Sequence, residues 1–587
     1  MSGAENATRQ FRVLRRQFLF RVVELEALSS SALGDSTRLL GRFAALLVFL
    51  SLSFTLGLLG LNGADLTPRG RLSLTLYTEH FLVATTMLMV GIFAVLSWDS
   101  VFPDRRDVLV LAPLPVRAQT IFLAKVAATS AALALVVVLL NCATGLGWPF
   151  AFAMLAPTSH FLPLGVARWF AAYWFTMFAA ALFVYCSVLA VQGLAIQLLP
   201  RRIFLRVSGV LQIAAFGLFV CAYFLEPAVD GMQTLTAHEN HRFLLCVPTY
   251  WFLGLLDQLN GSTHAALVPL ARRAWIGLAV ATLAAGAAYA MSRTRTMRQI
   301  AEEPDITSGP RDWPWLPRFG SQVQTAVGQF TLRSLGRSRQ HRLIWAFYLG
   351  TGLGCTVFLF RTWEAERRLS GIVANNLWQE TNAPLLAASI VMMVVAAVGL
   401  RVVFAFPLEP RANWIFLVAG VDAGAPISSA RRRTLLLLAA APVWAMSAVM
   451  FLRLSPWRQA AVHLLVLALL GSIVADLTLY GFRKIPFTCS YLPGKSPVHL
   501  IFLVAVGFMW FVAQSVEWEQ RALRGARGTI AMLVLLGTIA AGIRWRSVVR
   551  ERSDERGLQF EEEVEPAVLE LGLFRDGAVV GSSRDMP

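Results

Sequence analysis

The stretch TNAPLLAASIVMMVVAAVGL (residues 381–400) decides the fold class, because it contains twenty consecutive residues without a charged side chain. About 20 predominantly apolar residues in a helix span the hydrocarbon core of a bilayer. Similar stretches recur along the whole chain, which predicts an all-α polytopic membrane protein. Twelve such intervals of at least sixteen residues are present: 43–64, 80–98, 126–167, 169–200, 207–225, 274–292, 343–360, 381–400, 434–452, 459–475, 496–516 and 528–543.

The composition indicates the same class. Of the 587 residues, 56% are apolar and 15% are charged, whereas about 25% are charged in a soluble globular protein. A cytosolic enzyme or a nucleic-acid-binding protein is therefore excluded, although the formal net charge is +17. The six cysteines lie far apart and mostly inside apolar runs, so they indicate neither a disulfide framework nor a zinc site.

Two of the intervals are longer than one span. Residues 148–167 contain three prolines, so this part is predicted to be a loop or an interfacial segment that follows the third span. Residues 169–199 are predicted to form one long helix that ends before Pro200. We therefore predict about twelve transmembrane helices.

The basic residues predict the orientation, because positively charged loops resist translocation across the membrane. With the N-terminus inside and twelve spans, the inner segments carry 38 of the 52 arginine and lysine residues. Both termini are then cytoplasmic, and the chain is predicted to be a multi-pass membrane protein. Residues 10–27 mix arginine with apolar residues at helical spacing, which suits an amphipathic helix on the inner membrane surface.

The chain divides into two similar halves. We predict a first six-helix half over 1–298 with the N-terminal amphipathic helix, a linker over 299–320, a second six-helix half over 321–546 and a cytoplasmic tail over 547–587. The linker is acidic at its start and then rich in proline and tryptophan. A second basic amphipathic segment, 322–342, precedes the second half, which indicates internal duplication.

The two long cytoplasmic loops share a pattern. Each begins with Phe-Pro, continues with mixed charges and an apolar stretch, and ends with a proline before a basic residue opens the next helix. The pattern covers 103–118 in the first loop and 407–426 in the second. Their candidate functional residues are Asp104, Arg105, Arg106, Asp107 and Pro115 in the first loop, and Glu409 and Arg411 in the second.

Few signs of catalytic or binding chemistry are present. The sequence Gly494-Lys495-Ser496 fails as a phosphate-binding loop, because Cys489 stands where that motif needs its first glycine. We predict no catalytic residue, no metal site and no cofactor-binding residue on this chain. The intramembrane polar candidates are Asp476 and Arg401, near the inner boundary, where snorkelling or mutual pairing would explain them.

These motifs resemble the membrane-spanning permease of bacterial ABC exporters, of the branch with six helices per half. The segment DRRDVLVLAPLPVRAQTIFLAK (104–125) is similar to the loop of that family between its second and third helices, with Asp104, Leu114, Pro115 and Lys125 at the matching positions. The segment VPTYWFLGLLDQLNG (247–261) is similar to a short helix that the family places on the outer face. The second half matches more weakly.

The resemblance implies a transport function without enzymatic activity on this chain. The chain would then be a multi-pass protein of a bacterial inner membrane. Two separate ATPase subunits would bind ATP, press on 103–118 and 407–426, which we call the predicted coupling segments, and open a path between the two helix bundles. The implied partners are these ATPase subunits, an unidentified substrate and the lipid bilayer, with no nucleic acid. Two alternatives remain open. The first is a twelve-helix secondary carrier, and the second, ranked after it, is a membrane-bound lipid-modifying transferase.

Overall fold

A computed structural model shows an all-helical protein. It describes residues 3–23, 36–61, 68–98, 111, 113–155, 163–199, 201–225, 235, 241–261, 264–302, 317–318, 320–369, 383–406, 425–482, 484–488, 498–523 and 525–553. Within these ranges every regular element is a helix and none is a strand.

Ten helices are described before residue 303. They are α1 (Gly3–Val23), α2 (Ser36–Leu61), α3 (Pro68–Leu96), α4 (Ala118–Asn141), α5 (Thr144–Leu155), α6 (Pro163–Leu198), α7 (Arg201–Leu225), α8 (His241–Cys246), α9 (Pro248–Asn260) and α10 (Val268–Glu302).

Eight further helices are described after residue 320. They are α11 (Gln322–Arg337), α12 (Arg339–Leu369), α13 (Ala383–Ala405), α14 (Ala425–Leu435), α15 (Ala441–Leu454), α16 (Trp457–Thr478), α17 (Val498–Leu523) and α18 (Ala526–Ser553). A π-helical turn, Leu436–Ala440, joins α14 to α15. Pro442 follows this turn at the start of α15. Because proline has no N–H to donate and its ring crowds the preceding turn, a wider turn fits this position.

The first core forms around α6. This helix packs against α3, α5, α9 and α10, and α4 lies beside α3 and α6. Among the fully buried side chains of this core are Val83, Phe122, Tyr173 and Phe252. All four come from different helices, so the core is one interface shared by several helices.

The second core forms around α13. This helix packs against α12, α15, α16, α17 and the π-helical turn. Among its buried residues are Val391, Leu400, Phe404 and Leu467. The helix α12 also packs against α7, where Phe216 and Phe347 lie with their ring centroids 5.8 Å apart. Contacts between α7 and α12 thus join the two halves.

Among the described residues, eight helical segments are long and apolar enough to cross a bilayer, so the structure indicates a polytopic membrane protein. Shorter apolar helices occur at Ala44–Leu56 in α2 and Val207–Val220 in α7. The total of twelve spans and the cytoplasmic termini stay predictions. The eight segments are Leu72–Leu96, Gln119–Asn141, Gly165–Leu198, Val268–Met291, Ala383–Ala405, Ile427–Leu454, Trp457–Thr478 and Ala526–Arg550.

The segment predicted as a loop after the third span begins as a helix. Helix α5 includes Pro149 and packs against α2 and α6. At the junction with α4, the backbone N–H groups of Ala143 and Thr144 donate to Ser51 Oγ at 3.0 and 3.2 Å. The Ser51 hydroxyl of α2 therefore satisfies two backbone N–H donors that the turn leaves without a helical partner. Residues 156–162 of the predicted segment lie outside the described ranges.

Candidate functional site

Most of the predicted coupling residues lie outside the described part of the chain. These are Asp104, Arg105, Arg106 and Asp107 of the first loop and Glu409 and Arg411 of the second. In the first loop, the described end runs from 113 to 117, and Pro115 is exposed there. Gln10 of α1 donates its Nε2 to the carbonyl oxygen of Pro115 at 3.3 Å. The N-terminal amphipathic helix therefore contacts the end of the predicted coupling segment.

Helix α1 lies against the first turns of α4. Phe18 is buried with Ile121, Ala124 and Ala128. The ammonium group of Lys125, itself buried, lies 5.3 Å from the centroid of the Phe18 ring. A cation over an aromatic face is attracted by the ring quadrupole, and this attraction strengthens away from water. The interface joins α1 to the helix that follows the first loop.

Helix α11 occupies a similar place at the start of the helix that follows the second loop. Ser321 caps α11, since its side chain accepts from the backbone N–H of Gln324. Gln324 in turn donates its Nε2 to Ser429 Oγ of α14 at 2.7 Å. Val327 of α11 is buried with Ile427 and Ala430 of α14. The basic segments that precede both halves therefore pack in the same way.

His341 connects the start of α12 to the end of α13. Its Nε2 lies 3.1 Å from the carbonyl oxygen of Phe406, the residue before the second predicted coupling segment. Ser338 Oγ lies within hydrogen-bond distance of the other ring nitrogen, Nδ1. Burial lowers the pKa of His341 below its usual value of 6.5, and the hydrogen bond to Phe406 opposes this only in part. A neutral imidazole that donates to Phe406 and accepts from Ser338 fits both contacts.

Asp476 lies where α14, α16 and α18 meet. Arg432 Nε donates to Asp476 Oδ1 at 2.7 Å and Arg432 Nη2 donates to Oδ2 at 3.2 Å, so the pair is bidentate. Arg432 also donates to Ser472 Oγ at 2.6 Å. Arg544 of α18 approaches Asp476 Oδ1 to 3.7 Å. The buried carboxylate therefore has two arginine partners on two neighbouring helices.

Arg401 has different contacts. Its Nε donates to the carbonyl oxygen of Thr478 at 3.0 Å, and its guanidinium lies 4.0 Å from the centroid of the Phe482 ring. Arg431 lies over the same ring at 5.5 Å and donates to the carbonyl oxygen of Lys484 at 3.0 Å. Asp476 and Arg401, the two intramembrane candidates, thus lie in one arginine-rich region. Asp476 pairs with Arg432, and Arg401 donates to a carbonyl oxygen at the end of α16.

A second polar centre was not predicted from the sequence. Ser389, His463 and Glu519 come from α13, α16 and α17 and are almost completely buried. Ser389 Oγ lies 2.8 Å from His463 Nε2, and His463 Nδ1 lies 2.7 Å from Glu519 Oε1. Phe451 covers the imidazole at a centroid distance of 4.3 Å. This hydrogen-bonded chain, which we call the His463 centre, joins three helices of the second core.

The order of groups in the His463 centre is that of a serine nucleophile, a histidine base and an orienting carboxylate. The geometry does not supply the remaining parts of such a site. Ser389 also lies within the helix α13 and its Oγ bonds to the carbonyl oxygen of Leu386 at 2.8 Å. Ser389 does not line the cavity between α13, α16, α17 and α18, although its neighbour Ile390 does. The hydrogen bonds of the His463 centre are therefore suited to joining helices.

A third polar centre lies in the first half. Glu79 of α3 is buried and accepts a hydrogen bond from Asn260 Nδ2 of α9 at 3.1 Å. The Trp148 side chain also bonds to Glu79, and the carboxyl group of Asp257 lies near enough to interact with it. The ring of His80 stacks on Tyr250 at 4.5 Å. The segment 247–261 thus contains the helix α9, whose Asp257 lies near the buried Glu79 of α3.

The sequence missed these two centres for a simple reason. A charge-free interval ends at every charge, so Glu79 and Glu519 fall outside the intervals 80–98 and 496–516. The helices continue past both residues, because α3 begins at Pro68 and α17 ends at Leu523. His463 lies inside the interval 459–475, with no other histidine near it in the sequence. Helical periodicity extended beyond each interval would have placed Glu79 and Glu519 on helices.

Among the residues that the structure describes, no group of three or more histidine, cysteine, aspartate or glutamate side chains could hold a metal ion. Comparisons with family models, with curated proteins and with solved structures found no match to this chain. The functional argument therefore rests on the residues themselves.

Proposed function

We propose that this chain is the membrane-spanning permease of an ABC-type exporter, and that separate ATPase subunits act on its two long cytoplasmic loops. The observation that carries the proposal is the matched position of α1 and α11. Each is a basic amphipathic helix that packs on the helix directly after a predicted coupling segment, α1 on α4 and α11 on α14. The proposal places ATP hydrolysis on the partner and no catalytic residue or cofactor on this chain.

This arrangement suits the transmission of force. A segment pushed at the membrane surface moves a helix as a rigid body only if the segment and the helix are firmly joined. The bond from Gln10 to Pro115 and the burial of Phe18 make such a joint at α4. The bond from Gln324 to Ser429 makes a corresponding joint at α14. A displacement of either loop would therefore reach the membrane-spanning helices.

The packing of the helices supports a duplicated architecture. In the first half α3 packs against α6 and α7, and α6 packs against α10. In the second half α13 packs against α16 and α17, and α16 packs against α18. These helices hold the same rank in the predicted order of each half. The similarity favours two related bundles, between which a substrate path would open.

A proton-coupled secondary carrier is the second candidate, and one observation favours it. Carriers of that kind use ionisable groups within the membrane, and the buried Glu79, His463 and Glu519 are more numerous than the sequence indicated. A lipid-modifying transferase ranks third. The buried pair of Glu79 and Asp257 supplies two acidic groups, but they lie inside the helix packing instead of in an open loop.

Purification of the complete chain with its native partners tests the main proposal. We expect an ATPase subunit to co-purify, and we expect the double variant Arg105→Glu/Arg106→Glu to lose it. The matched control is Arg546→Glu, a charge reversal at an exposed residue of α18 outside the coupling segments. If the double variant retains full transport and no ATPase accompanies the wild-type chain, the proposal is wrong. Transport that collapses with a protonophore while ATP is held constant would then favour the carrier.

A further inference from the structure

A cavity of about 620 Å³ lies between α13, α16, α17 and α18. Its volume is within the range of roughly 300–1,000 Å³ that is typical of sites for small ligands. Apolar side chains supply most of its wall, with Leu470 from α16, Phe511 and Trp518 from α17, and Met532 and Leu535 from α18. The cavity is a groove that is open on one side. Its shape and lining suit an extended apolar chain.

The polar groups of the groove are few and lie on α17. Ser515 and Arg521 are part of the wall, and Arg521 pairs with Glu517 one turn earlier. Arg527, the second residue of α18, is exposed next to the short connection between α17 and α18. Two guanidinium groups, those of Arg521 and Arg527, therefore lie near the end where α17 meets α18, and the Arg521 group is paired with the Glu517 carboxylate. This asymmetry matches a molecule with an apolar tail and an anionic head.

The His463 centre holds the wall of this groove in place. Ile390, which lines the groove, follows Ser389 directly, and Trp518 directly precedes Glu519. Val466 lies three residues after His463 on the same helix. Because the hydrogen bonds join α13, α16 and α17 at fixed distances, the groove is preformed and does not have to be opened by the ligand.

We propose that this groove binds a single-chain anionic amphiphile, with its alkyl chain between α16, α17 and α18 and its anionic head at Arg521. The inference deepens the proposed function, on which it rests, because it names the substrate class of the permease. A single tail fits one groove of this volume, and the anionic head would compete with Glu517 for Arg521. The surrounding bilayer offers a direct route for such a molecule into the open side of the groove.

A photoreactive palmitate analogue with a diazirine in its chain tests the inference on the full-length chain in lipid nanodiscs. We expect labelling of peptides from α17 and α18, and at least a tenfold loss of labelling in Ala531→Trp, which places an indole in the groove. The control is Ile530→Trp, since Ile530 is an exposed neighbour on α18 that does not line the groove. Equal labelling of both variants would overturn the inference.

Competition by unlabelled alkyl carboxylates gives a second measurement. Each added methylene should raise the affinity about fourfold until the groove is full, and the gain should then stop. Dodecyltrimethylammonium, with a cationic head, should compete at least tenfold less well than laurate, and Arg521→Gln should abolish that difference. A steady rise with chain length, equal competition by both heads, or better competition by two-chain phosphatidylglycerol would overturn the inference.

These binding measurements need no ATPase. Loss of specific labelling would therefore overturn the assigned ligand class and leave the co-purification result standing. Conversely, specific labelling without an ATPase partner would retain the binding site and contradict only the exporter mechanism.

Discussion

Arg432 on α14 and Asp476 on α16 form a bidentate ion pair, with the shorter of its two hydrogen bonds at 2.7 Å. The carboxylate is buried, whereas the arginine side chain is 20% exposed. The pair lies in the arginine-rich region at the end of α16, and Arg432 belongs to α14, the helix that follows the second predicted coupling segment. The ion pair therefore joins α14 to the second core.

The first prediction concerns this ion pair. We expect Asp476→Asn to lower the free energy of unfolding by about 2 kcal/mol, because Arg432 and Arg544 lose a carboxylate that both contact. The measurement is the change in Tm of the detergent-purified chain. The exchanged pair Arg432→Asp/Asp476→Arg is the control, and it should recover part of the loss. An unchanged Tm for Asp476→Asn would show that the pair adds no stability.

The second prediction concerns the His463 centre. Glu519→Leu leaves a buried imidazole without its acceptor, so we expect a loss of roughly 3 kcal/mol. The double variant His463→Leu/Glu519→Leu removes both polar groups and should be more stable than Glu519→Leu alone. The Tm values of the two single variants and the double variant give the coupling energy. Additive effects of the two substitutions would contradict a direct interaction.

The third prediction is a dependence on pH. Burial lowers the pKa of His341, so the folded chain binds a proton less readily than the unfolded chain does. The contribution of His341 to stability is therefore complete above its usual pKa of 6.5 and decreases as the pH falls below that value. We expect the Tm to fall between about pH 6.5 and 5, and to fall less in His341→Gln. The same pH dependence in both proteins would exclude His341 as its source.

The fourth prediction concerns the topology. In a cysteine-free background, Trp457→Cys should react with a membrane-impermeant maleimide in intact cells, because Trp457 is exposed in a predicted outer segment. Val323→Cys, exposed on α11 in a predicted inner segment, should react only after the membrane is permeabilised. The opposite pattern would reverse the orientation, and labelling of both in intact cells would contradict the count of spans between them.

Local patterns were sufficient for much of the fold. Each predicted charge-free interval overlaps a helix of the structure. The described part of the basic segment 10–27 lies in α1, and the segment 322–342 covers α11 and the start of α12. Three prolines predict a loop or an interfacial segment over 148–167, whereas the structure has a helix over the described start of that segment, 148–155. Pro149 lies inside α5, where neighbouring α2 and α6 stabilise the helix. Packing in the membrane can thus override a local helix breaker.

The candidate sites were less accessible to such reasoning. Asp476 and Arg401 could be selected, since a charge inside a span is costly wherever it lies. Their partners could not, because Arg432 reaches Asp476 only when α14 packs near α16, and Arg401 of α13 reaches the Phe482 ring only when the chain after α16 lies beside α13. The coupling residues Asp104–Asp107, Glu409 and Arg411 lie outside the described ranges, so their role stays a prediction.

The sequence by itself determined the helical, membrane-embedded character of this protein, because the length and apolarity of a span are local properties of the chain. Only the tertiary structure decided which polar groups meet. Ser389 and His463 are 74 residues apart, and His463 and Glu519 are 56 apart, yet both pairs lie within hydrogen-bond distance. A polar group inside a membrane must find a partner there, and helix packing alone determines which partner is close enough.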